Sequence, residues 1–200
     1  MTQVNKPHAD ACDRNRDPIL EVIRPWLSNS GRVLEIGSGT GQHAVYFSRQ
    51  LPHLTWIASD KQDAHAGIRL WLEEAGLPNT SGPVLLDLAQ EPWPEVDADV
   101  VFTANTMHII SWPLVQALFS GVGCLLQSRG LFMVYGPFNY DGRFTSDSNS
   151  RFDRWLKDRD TNSGIRNFED VDAMAQNAGL ELCDDIEMPA NNRILVWKRK

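Results

Sequence analysis

The chain has little cysteine: Cys12, Cys124 and Cys183 are far apart, odd in number and free of any C-x-x-C pair. That spacing excludes a disulfide framework and a structural zinc site, no metal is expected, and a reduced compartment fits. No apolar run approaches the ~18 residues of a membrane span, and Met1 to Asp17 is too polar for a secretory signal peptide. A cytoplasmic protein with no membrane partner is expected. Basic charge is also short. Against 26 Asp and Glu stand 19 Lys and Arg, a net charge of −7, which argues against broad binding to a nucleic-acid backbone and favours small-molecule chemistry. There is no internal repeat and no low-complexity tract. What remains is an ordinary globular composition, 42% hydrophobic and 22% charged over 200 residues, expected to form one domain over 1–200 with a substantial core.

Periodicity then divides the chain. Residues 1–13 carry no pattern and are expected to be mobile or a loose cap. Asp17-Pro18 predicts an N-cap and first helical position, with Ile19, Leu20, Ile23 and Leu27 on one face and Pro25 ending the helix early. Strands are predicted at 33–36, 54–59, 83–88, 98–103 and 131–135. Helices between them run to about Gln50, from Asp63 as cap to Gly76, and from Ser111 to Arg129-Gly130. The segment 137–166 is the least regular and reads as a candidate lid or substrate loop with one helix carrying Phe152, Trp155 and Leu156. A helix capped by Asn167 and ended by Gly179 follows. Two last strands, about Leu180 to Glu187 and Ile194 to Lys198, are joined by so short a link that only an antiparallel hairpin fits. Strands alternating with helices predict a doubly wound, Rossmann-like α/β domain with seven strands, mostly parallel, the last antiparallel.

The stretch Val33-Leu34-Glu35-Ile36-Gly37-Ser38-Gly39-Thr40-Gly41-Gln42-His43 reads as strand, tight turn and helix. Its glycines permit φ > 0 and close approach of a ligand, and free N–H groups at the helix start attract polar or anionic groups. The order is G-x-G-x-G with Glu35 two places earlier, not the dinucleotide G-x-G-x-x-G. It resembles motif I of the class I S-adenosylmethionine (SAM) dependent methyltransferases.

In open parallel sheets ligands bind beyond the carboxyl ends of the strands. That rule selects the glycine turn (Glu35, Gly37, Ser38, Gly39, Gly41), Asp60 and Lys61, Asp87 and Leu88, Asn105 to His108, and Tyr135 to Tyr140. Asp60 lies nineteen residues after Gly41, where a carboxylate accepts hydrogen bonds from ribose hydroxyls, or else serves as a turn residue. Asp87 suits an adenine amino group beside Leu86 or Leu88, or a strand-end cap. Glu35 in an apolar strand needs partners, expected from the turn's backbone N–H groups or from water on a cofactor ammonium. His43, His108, Tyr135 and Asp141 are the candidate acid, base or orienting groups, with a hydrogen-bonded structural role as the alternative for each histidine. Arg14, Asn15, Arg16, Phe138, Asn139, Arg143, Asn191 and Asn192 are drawn to the same edge by topology and suit a small, polar, even anionic acceptor. Alternatively, the arginines pair with Asp13 and Asp17 and the asparagines form a turn.

Glu35-x-Gly37-x-Gly39-x-Gly41, Asp60, Asp87 and Asn105-Thr106-Met107-His108 occur in the order and spacing of class I SAM-dependent methyltransferases. Beyond these, Arg14-Asn15-Arg16-Asp17-Pro18-Ile19-Leu20, Gly37 to His43, Tyr135-Gly136-Pro137-Phe138, Ser148-Asn149 and Met188-Pro189-Ala190-Asn191-Asn192 resemble the narrower, uncharacterised methyltransferase-like 26 family over nearly the whole chain. The resemblance implies the fold, SAM as methyl donor and S-adenosylhomocysteine (SAH) as its product, and names no acceptor. The expected function is methyl transfer to a small molecule. A non-catalytic SAM-binding regulatory or assembly protein is the main alternative, and a nicotinamide-dependent oxidoreductase is disfavoured by the glycine spacing and the antiparallel last strand.

Overall fold

In the computed structural model, which describes residues 6–200, the chain divides by contact density into two compact units, one ending at Phe102 and the other beginning at Thr103. The first holds α1 (Asp10–Trp26), β1 (Arg32–Ile36), α2 (Gln42–Gln50), β2 (Thr55–Asp60), α3 (His65–Ala75), β3 (Thr80–Leu85) and the start of β4 (Val100–Ala104). The second holds the end of β4, α4 (Trp112–Leu125), β5 (Leu131–Gly136), β6 (Phe138–Asn139), α5 (Asp147–Arg159), β7 (Arg166–Asn167), α6 (Phe168–Asn177), β8 (Leu180–Met188) and β9 (Asn192–Arg199). Seven strands form a sheet in the order β3-β2-β1-β4-β5-β9-β8, mostly parallel, while β6 and β7 pair separately. Among the described residues no helix is long and apolar enough to cross a membrane.

Within the first unit β1 lies parallel between β2 and β4, with Val33 opposite both Trp56 and Val100. Both faces of these strands are covered, which is why β1 and β4 read as apolar runs interrupted only by Glu35 and Thr103. Phe47 of α2 meets Trp56 at 5.1 Å and Phe102 at 5.7 Å between ring centroids, a tilted and an edge-on contact that centre this core. The first helix starts at Asp10, not at Asp17-Pro18, and passes through Pro18 and Pro25 to Trp26. Pro18 forfeits one helical hydrogen bond, but Asn15, Ile19, Leu20 and Ile23 are all buried on one face, so burial carries the helix across the break. Residues 1–5 of the expected mobile segment 1–13 lie outside the described residues, and Asp10 to Asp13 form the first turn of α1. Just before it, Lys6 Nζ stands 3.5 Å over the Trp71 ring and Pro7 O accepts from Trp71 Nε1 at 2.7 Å. Ala64, not Asp63, precedes α3, and Gly76 ends it at φ +56° as expected. The third strand stops at Leu85, so Asp87 lies beyond its end.

In the second unit β9 runs antiparallel to both β5 and β8. Phe119, Phe132 and Trp197 form its aromatic centre, with ring centroids 5.4 to 5.8 Å apart, and Trp197 Nε1 donates to Asp172 Oδ1 at 2.9 Å. Ser146 caps α5 by accepting from Asn149 N. Asn167 precedes α6 as expected, although its amide bonds Asp170 and not the helix backbone. α4 ends at Leu125, four residues short of Arg129.

Candidate functional site

The carboxyl end of β1 turns through Gly37, Gly39 and Gly41 with φ of +73°, +58° and +90°, the left-handed conformations that glycine adopts at no steric cost. Two N–H groups of this turn are spent inside the fold: Gly37 N and Ser38 N both donate to Ser59 O, at 3.1 and 3.0 Å. Gly39 N donates to Asp60 Oδ2 at 2.7 Å, and Lys61 N donates to Asp60 Oδ1 at 2.7 Å. The carboxylate of Asp60 therefore fastens the turn to the end of β2. Each of its oxygens takes one backbone donor and keeps a lone-pair position for another. A Cβ placed on Gly39 would meet nothing within 4 Å, whereas one on Gly41 would come 3.2 Å from Ile68 Cα. The turn is open at Gly39 and closed by α3 at Gly41.

Glu35 is 1% exposed. The turn's backbone does not satisfy it. Its Oε2 accepts from Ser38 Oγ at 2.9 Å and from Trp56 Nε1 at 3.2 Å. Burial pushes its carboxyl up to about 7, with the two donors opposing that rise and the nearby Asp60 charge adding to it. Oε1 stands 4.0 Å from Nδ1 of His43, whose Nε2 is 2.8 Å from Asn15 Oδ1 and whose ring stacks on Phe47. Burial, aided by the charge on Arg16, brings the His43 imidazole down to about 4. Neutral imidazole beside a neutral carboxyl is the arrangement this enclosure favours.

α1 reaches this turn from its first residues. Gln42 Oε1 accepts from Ala9 N at 2.6 Å and from Thr40 Oγ1 at 2.9 Å, and its amide reaches Ala9 O. Arg16 pairs with Asp13 at 2.7 Å and lies over the Tyr46 ring at 4.9 Å, while the Tyr46 hydroxyl donates to Asp17. Arg14 is exposed. Of the expected residues on α1, then, Asn15 joins His43 and Arg16 takes the intrahelical partner Asp13. Beyond β3, Leu86 and Leu88 are buried. Asp87 Oδ1 accepts from Ala89 N at 3.0 Å and lies 4.0 Å from Lys61 Nζ, which links the ends of β2 and β3.

In the second unit, Asn105 takes φ +58° and donates its N–H to Tyr135 O at 2.9 Å. Asparagine tolerates that conformation better than most side chains. His108 is 5% exposed. Its ring meets Phe152 edge-on at 5.3 Å, and a Cβ on Gly136 would lie 3.5 Å from its Nδ1. Burial, helped by the Arg166 charge, brings this imidazole too down to about 4. Arg166 holds the loop that carries it, donating from Nε to Met107 O at 3.1 Å and from NH2 to Ile110 O and Asn162 O. Tyr135, Phe138 and Asn139 are all buried, and β6 pairs Phe138 with Arg166 and Asn139 with Asn167.

Asp141 and Gly142, with φ of +49° and +67°, are the middle residues of a tight turn closed by Tyr140 and Arg143, which exchange backbone hydrogen bonds. Positive φ at both marks a type I′ hairpin turn, so Asp141 is a turn residue and Arg143 sits exposed at its foot. Asn191 donates to Ser148 Oγ at 3.3 Å while its carbonyl accepts from Asn149 Nδ2 at 3.0 Å, which pins the β8–β9 connection to α5. Asn192 Nδ2 donates to Pro189 O at 3.1 Å, within the turn itself. A cavity lined by Gln116, Phe119, Met174 and Asn177, between α4 and α6, includes none of the expected site residues.

Trp56, Gln42, Arg166 and Asn149 are site-shaping residues to which the sequence reading assigns no role at the site. Trp56 read only as strand hydrophobe, although its indole N–H is a donor that a buried carboxylate one strand away requires. The other three act across separations of 29 to 59 residues, for which local spacing carries no signal.

A family described as "Protein of unknown function (DUF938)" matches residues 6–199. Among solved structures, an O-methyltransferase family protein from Burkholderia thailandensis is similar with a TM-score of 0.82 at 17% identity, over 96% of this chain and 58% of that one. The mitomycin 7-O-methyltransferase MmcR gives 0.80 at 18% identity, over 94% and 54%. Human N-acetylserotonin methyltransferase in complex with SAM gives 0.78 at 15% identity, over 95% and 53%. This chain spans 53% to 58% of the length of these proteins, and at such identities the likeness is one of fold.

Proposed function

We propose that this chain, which belongs to the family described as Protein of unknown function (DUF938), is a SAM-dependent methyltransferase acting on a small molecule, akin to the methyltransferase-like 26 proteins its motifs resemble. The observation that carries the reading is the turn at Gly39: main chain at φ +58° facing open space, with Asp60 anchored beside it. That combination fits a nucleoside with a charged amino-acid tail. The fold shared with SAM-dependent methyltransferases supports it.

In this reading Glu35, Gly37, Ser38, Gly39 and Gly41 line the methionine end of the donor. Asp60 and Lys61 take the ribose, Asp87 and Leu88 the adenine, and Asn105 the neighbouring main-chain position. Asp60 is suited to its part because backbone donors already fix both oxygens in place while leaving lone pairs for two hydroxyls. When bound, SAM would supply an electrophilic methyl group, carried on a sulfonium, to a lone pair of the acceptor. The chain's own work is then alignment and exclusion of water, with a proton acceptor needed only where the acceptor must lose a proton. His108 is the candidate to take that proton; burial keeps its imidazole neutral and at the same time weakens it as a base. His43, whose Nε2 is committed to Asn15, serves to hold the turn. Tyr135 acts through its carbonyl by fixing Asn105, and Arg14, Arg16, Phe138, Arg143, Asn191 and Asn192 belong to the loops and helix that shape the acceptor's surroundings, with 137–166 as the segment that covers it.

Differential thermal stabilisation tests this. SAM and SAH should raise the melting temperature where NAD does not, and Asp60→Ala should abolish the rise. Stabilisation by NAD alone would overturn the reading. Incubation with labelled SAM and a metabolite extract should then yield a labelled small molecule.

A further inference from the structure

Among the described residues three buried side-chain atoms lack a hydrogen-bond partner: Arg16 Nε, Ser48 Oγ and Asn139 Oδ1. Arg16 already gives NH1 to Asp13 and is partly exposed, and Ser48 lies on the inward side of α2. Asn139 is of another kind. It is 7% exposed, and its main chain is held by the β6–β7 pairing opposite Asn167. An enclosed amide oxygen calls for a donor, and a ligand carrying an O–H or N–H group can supply one.

Three cations of the same unit are already committed. Arg166, paired with Phe138 across the ladder, gives its guanidinium to three carbonyls. Arg193 pairs with Asp185 at 2.7 Å and Glu187 at 3.0 Å, and Lys157 with Asp153 at 2.7 Å. Arg143 is exposed in its turn. An anion brought to an enclosed carbonyl oxygen would meet a like partial charge. A neutral donor would meet the group it needs.

We propose that Asn139 recognises the methyl acceptor by accepting a hydrogen bond at Oδ1, and that the acceptor is an uncharged molecule carrying an O–H or N–H group. This rests on the methyltransferase reading above and replaces the anionic acceptor that the arginines in the sequence suggest. Asn139 is thereby a specificity-determining residue: a site built around a hydrogen bond rejects analogues that cannot make it, because the buried partner is left bare.

The test uses isotope-labelled protein, with the side-chain amide of Asn139 followed by NMR while phenol, anisole and benzoate are titrated separately, with and without SAH. Phenol and anisole differ in the donor; benzoate carries the charge. Phenol should shift the Asn139 amide saturably and bind about tenfold more tightly than either of the others, one buried hydrogen bond's worth of discrimination. In Asn139→Leu or Asn139→Ala that preference should vanish. Equal binding of anisole or benzoate, no effect of phenol on the amide, or a preference that survives in a folded variant overturns the assignment. The wild-type comparison decides even where neither variant folds. The SAH titration is read on its own: its failure counts against the methyltransferase reading, while the order of the three probes still judges Asn139.

Discussion

Oε1 of Glu35 and Nδ1 of His43 stand 4.0 Å apart without forming an ion pair. Burial raises the carboxyl to about 7 and lowers the imidazole to about 4, so between those limits both are uncharged. Charging either would place an ion in an enclosure whose donors and acceptors are already assigned, to Trp56 and Ser38 on one side and Asn15 on the other.

Glu35 binds its proton more tightly in the folded chain than in the unfolded one. The stabilisation tied to that proton is complete below the ordinary carboxyl range near 4.5 and is lost as pH rises through about 7. Glu35→Gln should remove the loss. Above pH 7 the variant should be more stable than the native chain, by up to about 3 kcal/mol, in urea titrations from pH 5 to 8.5. An unchanged alkaline limb would show that Glu35 is ionised in the native fold.

His43 and His108 act in the opposite direction. Both are held neutral, at about 4 against an ordinary 6.5, so their contribution is complete above 6.5 and lost as pH falls toward 4. The slope of unfolding free energy against pH in that window should lessen by about one proton in each single His→Gln variant. Because the slope is read, a general loss of stability does not confuse the result.

Two alanine substitutions in one turn should part company. Gly41→Ala meets Ile68 Cα at 3.2 Å with φ +90° and should cost more than about 2 kcal/mol in folding stability. Gly39→Ala meets nothing and should cost about 1 kcal/mol, the price of φ +58° for a residue with a Cβ. Its larger effect should be on SAH, bound at least about tenfold more weakly by calorimetry.

Asp60→Asn replaces one acceptor oxygen with a donor group and sets it against either Gly39 N or Lys61 N. Loss of stability of about 1 to 2 kcal/mol is expected from the unmatched backbone group, together with weaker SAH binding. Denaturant titration and calorimetry on the same preparation separate the two effects.

Much of the fold was legible because its elements announce themselves locally. The apolar runs of β1, β4 and β5, Gly76 beyond α3 and the short link before β9 each follow from a neighbour-range rule, and the sheet they imply is the one observed. Where a tertiary contact overrides a local rule, the reading departs from the structure. Pro18 signals a helix start, yet burial of Asn15 and Ile19 on either side extends α1 back to Asp10. Strands of two residues, such as β6, are too short to show a period. At the candidate site the glycines, Asp60 and Asp87 stood out by spacing, whereas the partners of Glu35 did not: the choice between turn backbone and the Trp56 indole depends on how β1 and β2 register.

The strand β8 lies last in the sheet order, beside β9. An outer strand ordinarily offers a row of unpaired backbone groups to any other extended chain. Here Glu181 and Asp184 are exposed along it, beside the pair that Glu187 makes with Arg193, so a second copy approaching in the same manner would set carboxylates against carboxylates. Mutual repulsion thus guards this border, and concentrated salt, which screens that repulsion, is the condition in which the guard is weakest.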